Sequence, residues 1–154
     1  MQSETTNESG GYWCLKFTFS RKLLATAYFD SYRFPWLRSS INAPSKGYEY
    51  LTRITYNPTR EIAIYGQFRE ESKAENPSAD EQDNPVRTPM QGIKRNYLIG
   101  VIFPANERLI FKSRVQWSSF DFNDQRTEGY AIWQDMILDF DKLRFIGRIA
   151  LFDT

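Results

Sequence analysis

The sequence lacks the residues that the commonest catalytic and metal sites require. It contains no histidine and a single cysteine, Cys14, among 154 residues. Without histidine, Ser-His-Asp and Cys-His catalysis and the usual zinc and copper ligand sets are excluded. A single cysteine excludes an intramolecular disulfide, so we expect Cys14 to pack as a small residue in a strand. The composition therefore predicts a protein that is not an enzyme and needs no cofactor.

Long apolar runs and a charge imbalance are absent as well. No stretch approaches the roughly 18 to 20 apolar residues of a spanning helix, which excludes an α-helical membrane protein. The net charge is +1, from 20 Lys+Arg and 19 Asp+Glu, and gives no reason to expect nucleic acid as a partner. Residues 1–10 are polar and lack the apolar centre of a signal peptide, so we expect a disordered start. Either the protein is cytoplasmic or the chain is incomplete.

Aromatic residues are abundant, at 16%, and they recur at alternating positions. Tyr48, Tyr50, Thr52, Ile54 and Tyr56, for example, fall on one face of an extended segment, which is the period of two of a β-strand. The pattern predicts an all-β fold, an antiparallel up-and-down meander of about eight strands within one domain, residues 11–154. The predicted strands are about Tyr12 to Ser20, Leu23 to Tyr32, Tyr48 to Asn57, Glu61 to Glu70, Arg95 to Phe103, Leu109 to Trp117, Gly129 to Leu138 and Arg144 to Phe152.

The predicted connections alternate between short and long. Long loops are expected at residues 33–47, 72–92 and 118–128, and the polar, proline-containing segment 72–92 is predicted to be mobile. In a meander this alternation places every long loop at one edge of the sheet, as in transmembrane β-barrels. Asp80, Glu81 and Asp83 lack the glycine and the spaced oxygen ligands of a calcium loop, so we interpret them as a solvated acidic segment.

Charged residues inside the predicted strands indicate which face of the sheet could contact lipid and which would contact water. Lys112 and Arg114 lie on one face in mid-strand, and facing lipid each would cost roughly 2 to 4 kcal/mol. In a membrane barrel that face would therefore line the lumen, and its cations would bias a pore toward anions. In a soluble sheet the same residues would simply be solvated. The predicted lumen-facing cations are Arg53, Arg69, Lys112, Arg114 and Arg148, with Asp30, Glu49 and Asp135 as counter-charges.

Those three carboxylates also leave glycoside hydrolysis formally open, because sequence alone does not fix their separation. Aromatic residues near one predicted edge favour the membrane interpretation, since Tyr and Trp prefer the lipid–water boundary. They are Tyr12, Trp13, Trp36, Tyr48, Trp117 and Phe120. The alternative is a soluble up-and-down β-barrel that binds a small apolar ligand inside, because alternation alone does not tell which face points inward.

Several segments resemble a known family. The elements YRFPWLR at residues 32–38 and AP-x-x-GY-x-Y at residues 43–50 are the most specific, and RLIFKSRVQW, GYAIWQDMI and RIALFDT add to them. Together they resemble the C-terminal outer-membrane β-barrel region of helix-hairpin-helix proteins of Gram-negative bacteria, whose annotation derives from competence DNA-uptake proteins. The resemblance covers nearly the whole chain from Gly11 onward. It implies a non-catalytic barrel segment in the outer membrane that acts as a membrane anchor or pore wall.

The chain also departs from that family in ways that shape the expectation. It contains no helix-hairpin-helix motif, so the resemblance implies no DNA binding by this segment. It has no signal peptide and no terminal aromatic residue of the kind that closes most outer-membrane barrels. The family's barrel is larger than eight strands. We therefore expect a fragment whose partners are outer-membrane lipid and the remaining strands of a larger barrel.

Overall fold

The computed structural model describes residues 9–34, 45–75 and 90–153. They form one antiparallel sheet of eight strands in the order of the chain, which confirms the predicted all-β meander. The strands are β1 (Ser9–Thr18), β2 (Leu23–Phe34), β3 (Ser45–Tyr56), β4 (Ala63–Glu75), β5 (Met90–Asn106), β6 (Leu109–Phe122), β7 (Gln125–Phe140) and β8 (Leu143–Asp153). Within these ranges no helix is long and apolar enough to cross a membrane.

Each strand pairs with its neighbours in the chain, and the first and last strands keep one open edge each. Among the described residues, β1 pairs only with β2 and β8 pairs only with β7. β1 and β2, β3 and β4, β5 and β6, and β7 and β8 are joined at one end of the strands. This end of the sheet is here called the turn edge. β2 and β3, β4 and β5, and β6 and β7 are joined at the other end of the strands. That end of the sheet is here called the loop edge. The described sheet is therefore open and one layer thick.

The prediction of a loop at residues 118–128 is wrong. Strands β6 and β7 continue through it and meet at a tight turn of two residues, Asn123 and Asp124. Their φ angles are positive, 50° and 59°, as a two-residue hairpin turn requires, and Asn and Asp tolerate that conformation better than most residues. The strict alternation of connection lengths therefore fails at this position, although the strand ends on either side of residues 35–44 and 76–89 do lie at the loop edge.

The mobile loop predicted over residues 72–92 is also wrong at both ends. Ser72 to Glu75 belong to β4, and they face Met90 to Ile93 of β5 across the ladder. Polar side chains extend these strands because they find partners there: Lys73 forms an ion pair with Glu71, and the Ser72 hydroxyl donates a hydrogen bond of 3.0 Å to Gln91 Oε1. The centre of the predicted loop and the Pro35 to Pro44 part of the family-like motifs, Trp36 included, lie outside the described residues.

The pairing register gives the sheet one apolar and one polar face, because residues opposite each other in a ladder point to the same side. The polar face is the more enclosed. In β5, Gly92, Asn96 and Gly100 on the polar face are buried, whereas Ile99 on the apolar face is 65% exposed. Cys14 lies in a strand as predicted, but on the polar face and exposed rather than packed. Among the described apolar side chains only Tyr65 and Ala74 are buried. The sheet therefore has no conventional hydrophobic core in this part of the chain.

Candidate functional site

The polar face carries all the charges that the sequence predicted to act together. The register places Asp30 opposite Glu49, Arg53 opposite Gln67, and Lys112 opposite Asp135. Arg69, Arg114 and Arg148 lie on the same face by the same ladders. The three carboxylates considered for glycoside hydrolysis do not form one group, because Asp135 on β7 is separated from β3 by three strands. That this face lines a lumen stays a prediction.

The first cluster on the polar face, which we call the Glu49 cluster, joins β2, β3 and β4. Arg69 binds Glu49 through two hydrogen bonds, from Nε to Oε1 at 2.9 Å and from Nη2 to Oε2 at 2.8 Å. Arg69 also reaches Glu71 at 3.2 Å, Lys73 pairs with the same carboxylate, and the Tyr28 hydroxyl donates to Glu49. Asp30 faces Glu49 across the β2–β3 ladder, and Lys94 of β5 faces Glu71 across the β4–β5 ladder. Three cations thus lie beside three carboxylates, so the cluster is balanced in charge.

The second cluster, which we call the Asp135 cluster, joins β6, β7 and β8. Asp135 is 5% exposed and accepts hydrogen bonds from Arg148 Nε at 2.6 Å and from Arg114 Nη2 at 3.1 Å. Lys112 faces Asp135 directly across the ladder, and the Arg114 guanidinium lies 5.6 Å from the centre of the Trp133 ring. Three cations surround a single carboxylate, so this cluster carries an excess of positive charge.

Between the two clusters, at Asn96, Gln116 and Ser118, the polar face carries neutral side chains. Gln116 Nε2 donates to Asn96 Oδ1 at 3.2 Å, and the Ser118 hydroxyl donates to the same oxygen at 2.8 Å. Nearer the turn edge the Tyr65 ring packs between the Arg53 guanidinium, 4.0 Å from the ring centre, and Gly100 of β5. Aromatic rings therefore lie flat against this face where the neighbouring strand offers a glycine. That arrangement keeps them out of the space above the sheet.

The apolar face carries a row of aromatic rings near the loop edge, here called the loop-edge aromatic row. Trp13 contacts Phe29, with 5.8 Å between the ring centroids. Tyr50, Phe68, Tyr97 and Trp117 contact one another in succession, with centroid distances of 5.4, 4.8 and 5.2 Å. The members of the row are Trp13, Phe29, Tyr50, Phe68, Tyr97, Trp117 and Tyr130. It spans the sheet from β1 to β7.

A second set of aromatic residues lies on the same face near the turn edge. It includes the contacting pairs Phe103–Phe111 and Phe140–Phe145, with centroid distances of 5.5 and 6.2 Å. Along β5 and along β6 the two sets are six positions apart, which corresponds to about 20 Å of strand. The residues between them are mainly aliphatic, such as Ile99 and Val115, which are 65% and 51% exposed. The apolar face is thus a band bounded on both sides by aromatic rings.

Just beyond the loop-edge aromatic row the same face becomes charged. Arg95 Nε contacts Glu70 Oε2 at 2.8 Å, and Arg95 also pairs with Asp121. Arg126 Nε contacts Glu128 Oε1 at 2.7 Å and Asp121 Oδ1 at 3.8 Å. These five residues form a chain across β4 to β7, which we call the rim ion-pair chain. The sequence reasoning missed it, because Asp121, Arg126 and Glu128 were assigned to a loop.

Aromatic residues predicted to gather at one edge are divided between the two faces. Trp13, Tyr48 and Trp117 lie on the apolar face, whereas Tyr12 and Phe120 lie on the polar face. For these five residues the predicted edge is correct, but the prediction did not distinguish their faces; the sixth, Trp36, lies outside the described residues. Strand parity carried that signal, since odd and even positions of one strand point to opposite sides.

The arrangement places an apolar surface on one side of the sheet and a charged surface on the other. Among the described residues, no group of three or more Cys, Asp or Glu side chains is placed to hold a metal ion. The fold and the two faces define the class as an antiparallel β-meander, compatible with a barrel or part of one. No family model, no curated protein and no solved structure matched the chain.

Proposed function

We propose that the chain is a segment of an outer-membrane β-barrel that acts as a membrane anchor or pore wall. Its apolar face would contact lipid, and its polar face would line the lumen. One observation carries the proposal: the more exposed face is an aliphatic band bounded by aromatic residues on both sides. Transmembrane barrels have such an outward band, about 25 Å tall and flanked by aromatic girdles at both interfaces.

The strand lengths support the same proposal. A strand that crosses a bilayer at a tilt needs about 9 to 11 residues. The eight strands contain between 10 and 17 residues, with β5 the longest. Strands in globular proteins are usually about 5 to 6 residues long. Strands of this length in a sheet one layer thick are therefore typical of a membrane barrel.

The charges of the polar face fit a lumen. Facing lipid, the Glu49 and Asp135 clusters would be strongly unfavourable, because hydrocarbon offers no water to solvate their charged groups. A water-filled or partly filled lumen accepts them, since interior positions of such barrels are polar. The rim ion-pair chain lies on the outer face, beyond the aromatic row, where polar lipid headgroups would surround it.

The two open edges imply a closing partner. In lipid every backbone N–H and C=O group must be hydrogen-bonded within the protein, so an open sheet edge is not tolerated there. The free edges of β1 and β8 would therefore pair with each other or with further strands of a larger barrel. The second possibility agrees with the larger barrel of the helix-hairpin-helix protein family that the sequence resembles, and membership of that family remains part of this proposal.

The first test compares folding with and without a membrane mimic. The purified chain would be refolded in detergent micelles and in buffer, and followed by far-UV circular dichroism and by migration in SDS gels before and after boiling. We expect β-structure and a heat-dependent band shift in micelles only. A soluble monomeric β-protein in buffer would contradict the proposal and favour the ligand-binding soluble barrel.

The second test determines which face meets lipid. Trp117 lies on the apolar face and Trp133 on the polar face, so each reports one side of the sheet. Two variants would each retain one of them as the single tryptophan, with the other three replaced by phenylalanine. In vesicles, lipid with brominated acyl chains should quench Trp117 strongly and Trp133 weakly. Equal quenching, or stronger quenching of Trp133, would reject this orientation.

A further inference from the structure

A cavity of about 670 Å³ lies at the loop edge, lined by the ends of β1, β2 and β3 together with Ser72 of β4 and Gln91 of β5. Most of its lining residues, among them Phe29, Ser31, Arg33, Lys46 and Tyr48, have the strand parity of the apolar face. It therefore opens on the apolar face, immediately beyond the loop-edge aromatic row. Its volume is in the range of about 300 to 1,000 Å³ that is usual for ligand pockets.

The cavity holds two cations that lack a counter-charge in the described part of the chain. Arg33 and Lys46 face each other directly across the β2–β3 ladder, and like charges in that position destabilise a sheet. Neither forms an ion pair with a described residue, and no described carboxylate lines the cavity. On the same face, by contrast, Arg95 and Arg126 each contact two carboxylates. The electrostatics of the cavity thus favour an anion between Arg33 and Lys46.

The remaining lining is that of an amphiphile site rather than a site for a free ion. The rings of Phe29 and Tyr48 stack at 6.3 Å and form an apolar wall, and Phe29 is 41% exposed. Phe29 also stacks on Trp13, so the wall continues into the aromatic row and the aliphatic band below it. The hydroxyl of Ser31 lies in the same lining and offers a hydrogen-bond donor.

We propose that this cavity binds the phosphate-bearing headgroup of an anionic membrane lipid, with the phosphate between Arg33 and Lys46 and an acyl chain along Phe29 and Trp13. The inference rests on the proposed function, because only a membrane-inserted sheet presents this face to lipid. It adds a specific lipid site, on the outer face at the loop edge, to a surface that would otherwise contact lipid without selectivity. Phosphate suits the pair since arginine and lysine are its usual ligands.

The test uses the full chain with Trp13 as its single tryptophan, with Trp36, Trp117 and Trp133 replaced by phenylalanine. It would be reconstituted in phosphatidylcholine vesicles that contain brominated phosphatidic acid or brominated phosphatidylcholine. We expect phosphatidic acid to associate near Trp13 about thirtyfold more strongly, because each of the two basic residues contributes about 1 kcal/mol of attraction near a membrane surface. The double variant R33Q/K46Q should lose this preference, and the charge-preserving R33K/K46R should retain most of it.

The control variant is R21Q/K22Q, which removes two exposed adjacent cations at the turn edge and should leave the preference unchanged. Equal quenching by both lipids, or the same loss in the control, would overturn the inference and leave the proposed function intact. Absence of quenching by either lipid would overturn both. The single variants R33Q and K46Q, each expected to lose about fivefold, replace the double variant if it fails to fold. Competition by millimolar inorganic phosphate that abolishes the preference would identify a free-anion site and contradict the lipid assignment.

Discussion

The two faces of the sheet present opposite chemistry at consecutive positions of one strand. Val115 of β6 is 51% exposed on the apolar face, and the next residue, Gln116, hydrogen-bonds to Asn96 on the polar face. The polar face is stabilised from within the chain, by ion pairs and amide contacts between strands. Apart from its aromatic contacts and the rim ion-pair chain, the apolar face has few internal partners, so the stability of its aliphatic band depends on what surrounds it. This difference explains how a sheet one layer thick can be regular without a hydrophobic core.

The largest effect is expected where a charge is placed on the apolar face. If the apolar face meets lipid as proposed, Val115→Arg should lower the free energy of unfolding in lipid vesicles by roughly 2 to 4 kcal/mol, because an arginine near the bilayer midplane is poorly solvated. Gln116→Arg is the matched control, since it adds the same side chain one residue further on, on the polar face. Urea titrations monitored by circular dichroism would measure both. Similar losses in the two variants would contradict the assignment of the faces.

A smaller effect is expected where the polar face is tightly packed. A Cβ atom on Gly100 would lie 2.5 Å from the Tyr65 hydroxyl, and the Tyr65 ring cannot move away freely because Arg53 lies on it. Gly100→Ala should therefore lower the free energy of unfolding by about 1 to 3 kcal/mol through overpacking. Gly66→Ala is the control, because a Cβ there meets nothing within 4 Å. That variant should be neutral or slightly stabilising, and the comparison would be made by urea titration in micelles.

The ion pairs of the polar face should differ in value according to their exposure. Glu49→Gln removes two charged hydrogen bonds to Arg69, whose side chain is 35% exposed, so we expect a loss of about 1 to 2 kcal/mol after solvent screening. Asp139→Asn breaks the pair with Arg144, whose side chain is 65% exposed, and should change stability little. Unfolding in micelles at low and at high salt would measure both. A larger loss for Asp139→Asn would show that exposure does not set the strength of these pairs.

The alternation of apolar and polar residues was strong enough to predict the eight strands and the shared face of the charged residues. It failed at strand ends rich in polar residues. Ser72, Lys73 and Gln91 look like loop residues in the sequence, and their hydrogen bonds and ion pairs with neighbouring strands appear only once the register is known. Register depends on turn geometry and on every strand at once, so a single segment does not reveal it.

The turn at Asn123 and Asp124 is a second place where the sequence pattern did not predict the structure. Its residues are suited to positive φ, but they stand among the polar residues Asp121, Gln125 and Arg126, and together these resemble an ordinary loop. Extending the period of two past Trp117 would have placed Asp121 on the apolar face with Arg95. The rim ion-pair chain was therefore readable in part, whereas the pairing of Arg95 with Glu70 was not, because it depends on the β4–β5 register.

The smallest expected effect concerns ion selectivity, and it separates the two clusters of the polar face. The Glu49 cluster is balanced, whereas the Asp135 cluster holds Lys112, Arg114 and Arg148 around one carboxylate. In a conducting barrel the excess charge should make the second cluster the source of anion preference. Lys112→Gln should lower the anion-to-cation permeability ratio by less than about a factor of two at 0.1 M salt, where charges are screened over about 10 Å.

The control for Lys112→Gln is the double variant E49Q/R69Q, which removes one charge of each sign from the balanced cluster. It should leave the permeability ratio unchanged, although it weakens the contact between β3 and β4. Reversal potentials in planar bilayers under a salt gradient would measure both variants. A shift with E49Q/R69Q and none with Lys112→Gln would place the selectivity at β3 and β4, and would mean that local geometry outweighs the net charge of each cluster.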